Sequence, residues 1–292
     1  MTSDRQANGS GPIARRMQLG AHLRRLRHAA DITRDAAGWH IRGSESKISR
    51  MELGRVPLKE RDVADLLTLY GVGDDDRASL LALAKQANAP GWWQQYGDIV
   101  PQRFLAYLGL EDAACQLRAY EIHSVPALLQ TAEYARVVLR HRHVTAADAE
   151  IDRRLHLLHS RQEILRRPEP PQLWTVLDEA VLRRGFGGRD VMRAQILALI
   201  AATRLPYVRL QVVPFSHATP PTAGFAFTIL RFTEPELADV VYLEQLTGAQ
   251  YLDKPAEVEH YAITMDRSCL MAAPPDQTVP ILQNVLEEYA AD

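Results

Sequence analysis

The chain has 292 residues, 47 % of them hydrophobic and 24 % charged, which is the composition of an ordinary globular protein with room for two domains and excludes a mainly disordered one. A formal net charge of −2 excludes a polybasic protein that binds nucleic acid over its whole surface. That average conceals a split. Residues 1–60 hold 12 Lys and Arg against 6 Asp and Glu, a balance of +6, which leaves 22 against 30, or −8, for residues 61–292. A small module that meets an anion, followed by a larger domain with another task, is the expectation.

The two cysteines, Cys115 and Cys269, are too few and too far apart for a disulfide framework or a thiolate zinc site, so a reducing cytoplasmic setting is expected. Met1 to Pro12 is polar, Gly- and Ser-bearing and without the apolar core of a signal peptide, and is read as a flexible N-terminus over residues 1–14. No later run approaches the length of apolar chain that spans a bilayer, and no membrane association is expected.

From Arg15 to Ala30, Leu19, Leu23, Leu26 and Ala30 repeat at helical spacing, with Arg16, Arg24, Arg25 and Arg27 assigned to the other faces. Thr33 is a suitable N-cap for a short second helix, about Arg34 to Ile41, with Asp35 in its first turn. Arg42 and Gly43 form a turn, and Ser44 caps a third helix, Glu45 to Glu52, whose inward residue is Ile48. After Pro57, Val63, Leu66, Leu67 and Tyr70 mark a fourth helix stopped at Gly71-Val72-Gly73, and Leu80, Leu83, Ala84 and Ala87 mark a fifth. Five short helices with a tight turn between the second and third match a helix-turn-helix module, residues 15–88, whose third helix enters the major groove.

The run from Ile32 to Glu52, above all "SKISRME" at Ser46–Glu52, with Gly54-Arg55 and "LLTLYGV" at Leu66–Val72, resembles the Xre family of bacterial regulators, the lambda-repressor and Cro-like type. The chain departs from that pattern at Ala37 and Gly38, where a large apolar residue and Ala are usual, and at Arg42, where Gly is usual. The resemblance implies an operator-binding regulator on double-stranded DNA. Matched residue by residue, Glu45, Ser46 and Arg50 would face base edges, Arg toward guanine and Glu toward cytosine. Thr33, Arg34, Ser44, Lys47 and Arg55 would lie nearer the phosphates. A single module of this size reads one half-site, so a homodimer on an inverted repeat is expected.

Residues 89–110, with Ala89-Pro90-Gly91, Trp92-Trp93 and Tyr96, read as a linker pinned by aromatics. Residues 111–292 read as a larger α+β domain, so the fold class is multidomain: an all-α five-helix module plus an α+β domain. Strands are expected at Leu173–Asp178, Tyr207–Val213, Phe225–Arg231 and Asp239–Gln245, the second alternating as a half-buried strand does. Helices are expected after the caps Thr131 and Thr145, at Val191–Thr203, apolar nearly all round and therefore buried, at Val258–Cys269 and at Thr278–Tyr289. The ordered segments "VPALLQTAEYAR" (Val125–Arg136), "LDEAVLRR" (Leu177–Arg184), "GGRDVMRAQI" (Gly187–Ile196), "LQVVPF" (Leu210–Phe215) and "VVYLEQLTG" (Val240–Gly248) resemble the C-terminal domain carried by many actinobacterial Xre regulators. That resemblance implies an antitoxin-like regulator with a small protein partner encoded nearby, and the large domain is expected to dimerise and to sense a protein partner or a small ligand.

Enzyme motifs are not found: there is no Walker loop, dinucleotide glycine fingerprint or Gly-x-Ser-x-Gly elbow. His141, His143, His156 and His159 make a metal site thinkable, but without a carboxylate in register they read as solvated helix histidines. Asp178-Glu179 would face opposite sides of a strand and so read as a strand-end cap, with Glu244 on a strand that neighbours them. The proline-rich loop Pro214–Gly224, with His217, reads as a lid, a partner surface or a plain connection. No metal, no cofactor and no catalytic residue are expected; a DNA-tethered enzyme or effector is the alternative.

Overall fold

The computed structural model describes residues 11–54, 56–216, 224–233 and 237–291. Arg55 and His217, and with His217 most of the loop Pro214–Gly224, lie outside the described residues. The chain divides into two compact units, one built on residues 1–95 with 105–113 and 232–237, the other on 96–104, 114–231 and 238–292.

The first unit is all helical: α1 (Pro12–Ala29), α2 (Arg34–His40), α3 (Glu45–Glu52), α4 (Glu60–Leu69) and α5 (Asp74–Ala87). Its core joins Leu19 and Leu23 of α1 to Ile48 and Met51 of α3 and Leu66 and Leu67 of α4. The close approach of α1 to α3 requires a glycine: a Cβ on Gly20 would lie 2.5 Å from the Met51 carbonyl oxygen and 2.6 Å from that of Glu52. One expectation is corrected. Arg27 is not on an outer face of α1 but buried, at 5 % exposure, because it continues the inward i, i+4 spacing of Leu19 and Leu23. Residues 89–110 are more than a linker, since they contain a 3-10 turn (Trp92–Tyr96) and most of α6 (Gln102–Ala113), so residue 111 falls inside a helix. Within this unit the Trp92 indole donates to Asp112 over 2.9 Å.

The second unit is built on a six-stranded mixed sheet in the order β3-β2-β1-β4-β5-β6. Its elements are β1 (Gln116–Glu121), α7 (Ala132–Arg142), α8 (Asp148–Gln162), β2 (Gln172–Asp178), α9 (Ala180–Arg183), α10 (Arg189–Ala202), β3 (Val208–Val213), β4 (Phe227–Arg231), β5 (Val240–Glu244), β6 (Ala249–Leu252), α11 (Pro255–Met271) and α12 (Thr278–Ala291). The strands β1, β2 and β3 are parallel, joined by the helical crossovers α7–α8 and α9–α10, and the rest pair antiparallel. Parallel strands need cover on both faces. Tyr120, Val176, Phe227, Ile229 and Val241 pack with Met265 of α11, while the alternate residues Leu117, Ala119, Leu177, Leu210 and Val212 are buried as well. The outer edge of β3 is closed by the chain after α11, where Ala273 N–H donates to the Val212 carbonyl (2.8 Å) and the Thr278 hydroxyl to the Leu210 carbonyl (2.7 Å).

Several local expectations change. The strand at Val208–Val213 is not half-buried: Gln211 is buried too, and it accepts from the Trp174 indole and donates to the carbonyls of Cys269 and Ala273. Thr145 does not cap α8, which starts at Asp148 with Ala147 at its N-cap position, whereas Thr131 caps α7 by accepting from Tyr134 N–H. The α10 helix is one-sided rather than apolar all round, with Leu197 half exposed. Strands β1 and β6 escape the sequence patterns because β1 carries Arg118 in the interior and β6 has only four residues.

At the carboxyl end of β1, Glu121 retains some exposed area yet is surrounded by protein mass, and burial outweighs the nearby Arg142 to push its carboxyl up to about 8, with Glu244 adding repulsion. A carboxyl whose folded-state pKa is raised holds its proton in the fold and loses it on unfolding above the ordinary range. Stability is therefore expected to fall as pH rises from about 4.5 to about 8. Glu121→Gln should abolish this component and raise stability at pH 8 by several kcal/mol, at about 1.4 kcal/mol per pKa unit, with little change at pH 4.5, measured by denaturant unfolding at both pH values.

Candidate nucleic-acid interface

The α2–α3 pair is formed locally before it is packed. Thr33 Oγ1 accepts from Ala36 N–H (3.1 Å) at the start of α2, and Ser44 Oγ accepts from Lys47 N–H (3.2 Å) at the start of α3. Each hydroxyl satisfies an otherwise orphaned first-turn amide, an arrangement worth about 1 kcal/mol. Between the helices, Gly43 N–H donates to Gly38 O (2.8 Å) and Arg42 N–H to Trp39 O (3.0 Å), the pair of bonds that ends a helix in a left-handed residue. That residue is Arg42, with φ +53°, at about 1 kcal/mol of backbone cost relative to the glycine usual there. The other departure has a steric reason. A Cβ on Gly38 would lie 2.8 Å from Ser44 C and 3.0 Å from its carbonyl oxygen, so only glycine admits this approach of α2 to the start of α3.

Along α3, Ile48, Met51 and Glu52 are buried, and Glu45, Ser46 and Arg50 are exposed. The exposed three share one side of the helix at i, i+1 and i+5, and Arg50 Nε donates to the Ser46 carbonyl (3.3 Å), which holds the guanidinium along the helix. The remaining positions assigned to phosphate are less simple. Arg34 Nε pairs with Glu52 Oε2 at 3.1 Å, and Lys47 Nζ pairs with Asp62 of α4 at 2.6 Å. Both cations are held by carboxylates, one shared and one not.

Glu52 is the residue whose importance the linear pattern concealed, since it reads there only as the end of α3. It is 5 % exposed. Arg27 Nε meets its Oε1 at 2.5 Å and Arg27 Nη2 its Oε2 at 3.2 Å, while Arg27 Nη1 donates to the Ile32 carbonyl at 2.8 Å. Hydrogen bonding to Glu52 raises the pKa of Arg27 above its ordinary value, and the ring hydroxyl of Tyr70, desolvated and near Glu52, is raised as well. One carboxylate thus joins the end of α1, the start of α2 and the end of α3. The available signal was the position of Arg27, eight residues after Leu19 and four after Leu23.

The other candidates are dispersed. Asp178 Oδ1 accepts from Ala180 N–H (2.8 Å), and Glu179 accepts from Arg183 Nε (2.9 Å) and from Phe215 N–H (2.7 Å). Glu244 pairs with Arg142 at 3.1 Å, and its strand β5 is separated from β2 by β1 and β4, so it does not neighbour Asp178-Glu179 as the sequence suggested. His156 Nδ1 lies 2.5 Å from the Tyr96 hydroxyl, and His141 and His159 are exposed. Among the described residues no three His, Cys, Asp or Glu side chains assemble as a metal site, and no helix is long and apolar enough to cross a membrane.

Two capped helices locked at a tight turn, with three polar side chains exposed on the second, define a helix-turn-helix DNA-binding regulator. A family model described as a helix-turn-helix domain matches residues 18–80. A second model, described as a domain of unknown function (DUF5753), matches residues 104–284; it covers more than half of the chain, which belongs to that family. No curated protein and no solved structure matches the chain.

Because a buried ion stripped of its partner is far costlier than an exposed one, Glu52→Ala is expected to destabilise the helical unit by about 3–5 kcal/mol. Arg34→Ala, which removes a partner that is one-third exposed, should cost about 1 kcal/mol or less. Thermal unfolding of the two variants, followed by circular dichroism, checks the order; equal losses would contradict the assignment of Arg27–Glu52 as the central pair.

Proposed function

We propose that the protein is an Xre-type transcriptional regulator of the cytoplasm that binds its operator as a homodimer and is antitoxin-like in its control. In this reading the C-terminal domain dimerises and senses a small protein partner or a ligand. The observation that carries the reading is the exposed row Glu45, Ser46 and Arg50 on a capped α3. Base edges are read by these three, and phosphates are met by the first-turn amides behind Thr33 and Ser44, where the helix dipoles add positive potential. Arg34 shares one carboxylate with Arg27, so that cluster keeps a net charge of +1 toward a phosphate. Lys47 is neutralised one-to-one by Asp62 and reaches a phosphate only by leaving it. Arg55 is assigned to phosphate from the motif alone. The large domain binds rather than catalyses in this reading, and the engagement of Glu179 and Glu244 by arginines supports it.

Arg50→Ala is expected to weaken binding to the upstream region of the protein's own gene by about 5- to 150-fold, the equivalent of one bidentate base contact at about 1–3 kcal/mol, while affinity for unrelated DNA stays constant. An electrophoretic shift measured at fixed salt on both DNAs decides it, and an unchanged ratio of the two affinities would remove the base-reading role. Sedimentation equilibrium at micromolar protein should show a dimer, and footprinting two protected half-sites about 34–36 Å apart; a monomer that protects one half-site contradicts the dimer.

A further inference from the structure

In the second unit the amino ends of β1, β2 and β3 border a cavity of about 410 Å³, lined among others by Gln116, Gln172, Trp174, Tyr207 and Arg209. That volume is within the ~300–1,000 Å³ range of small-molecule sites. The register puts Arg118, Trp174 and Arg209 in one row across the three strands. Both guanidiniums lie over the indole ring, Arg118 at 4.9 Å and Arg209 at 4.7 Å from its centroid. Two cations thus share one indole. Only one of them has a carboxylate, since Arg118 Nη2 pairs with Asp266 of α11, while no carboxylate pairs with Arg209 among the described residues.

The wall is rigid. The indole is fixed by its bond to Gln211 Oε1 (2.9 Å), and Gln211 is itself tied to two carbonyls. Arg209 is exposed, and its contact with the ring at 4.7 Å from the centroid reduces the side-chain freedom lost on binding. Of the polar groups around the cavity, the Tyr207 hydroxyl is taken up by Leu165 O and the Thr203 hydroxyl by Ile200 O. The guanidinium of Arg209 and the amides of Gln116 and Gln172 remain for a ligand, beside the apolar surfaces of Trp174, Leu173 and Pro275.

We propose that this cavity is a binding site for a small organic anion, with its carboxylate or phosphate on Arg209 and its apolar body against Leu173, Pro275 and the part of Trp174 that lines the cavity. The proposal deepens the ligand-sensing reading above and rests on it for its biological meaning, but the two can fail separately. Full-length protein is titrated with benzoate, with phenyl phosphate and with neutral benzamide, read by ligand-observed NMR. Saturable binding of at least one anion is expected, with benzamide about tenfold or more weaker, because a charge-assisted pair is lost. The tighter of the two anions identifies the head group. Arg209→Gln should weaken the bound anion by about 10- to 100-fold with unchanged melting temperature, since Arg209 is exposed, and Arg209→Lys should lose less. No saturable binding of either anion up to about 10 mM, equal binding of benzamide, or an Arg209→Gln variant with unchanged affinity overturns the site. Repeating the operator shift with the anion at saturation tests the sensing reading alone: an unchanged operator affinity sinks that reading and leaves the site standing.

Discussion

The ion pair between Arg27 and Glu52 is the constraint on which the DNA-binding unit depends. A helix-turn-helix can read bases only if its third helix is held at a set angle, and short helices of seven and eight residues cannot supply that rigidity by themselves. Apolar packing through Ile48 and Met51 supplies attraction without direction. The bidentate pair, extended by Arg34, supplies direction, because its geometry is satisfied only when α1, α2 and α3 converge on one carboxylate. Burial makes this demanding: with either partner missing, the other is left charged in the interior. The glycines Gly20 and Gly38 serve the same convergence by removing the Cβ atoms that would keep the helices apart.

The large unit solves a different problem. Its three parallel strands create two buried faces and an edge, and the chain covers all of them from its own sequence: crossover helices, α11, and the Ala273 and Thr278 bonds that close β3. Two polar side chains placed inside this sheet, Gln211 and Arg118, are held by specific partners. Gln211 bridges the Trp174 indole to two carbonyls, and Arg118 is held between the same indole and Asp266. Such a network costs desolvation and returns orientation, which is why the Arg209 side of the indole offers a fixed cationic surface rather than a mobile one.

What could be read in the residues and what could not divides along physical lines. Thr33, Ser44 and Thr131 were legible as caps because a cap is a local hydrogen bond to an amide three residues away, and the apolar spacing of Leu19, Leu23, Ile48 and Leu66 announced the helical unit. Thr145 misleads because α8 begins only at Asp148, with Ala147 at its N-cap position and no side chain capping it. Gln211 broke the alternation of β3 without breaking the strand, because its partners come from the segment around α11, some sixty residues later. Arg27 was assigned outward on charge although its spacing pointed inward, and only the carboxylate of Glu52, 25 residues on, makes that burial tolerable.

The sequence by itself determined the basic helical module, its two caps and tight turn, the α+β character of the rest and the identity of the exposed row on α3, because these follow from periodicity and bonds between near neighbours. The tertiary structure alone decided which charges are committed and which remain to act. Arg34 and Lys47, read as ready for phosphate, are held by Glu52 and Asp62, and Arg209, within a strand read as half-buried, is set over Trp174 beside a cavity. Ion pairs and stacking join residues distant in the chain, and their partners are chosen by the packing that brings the elements together.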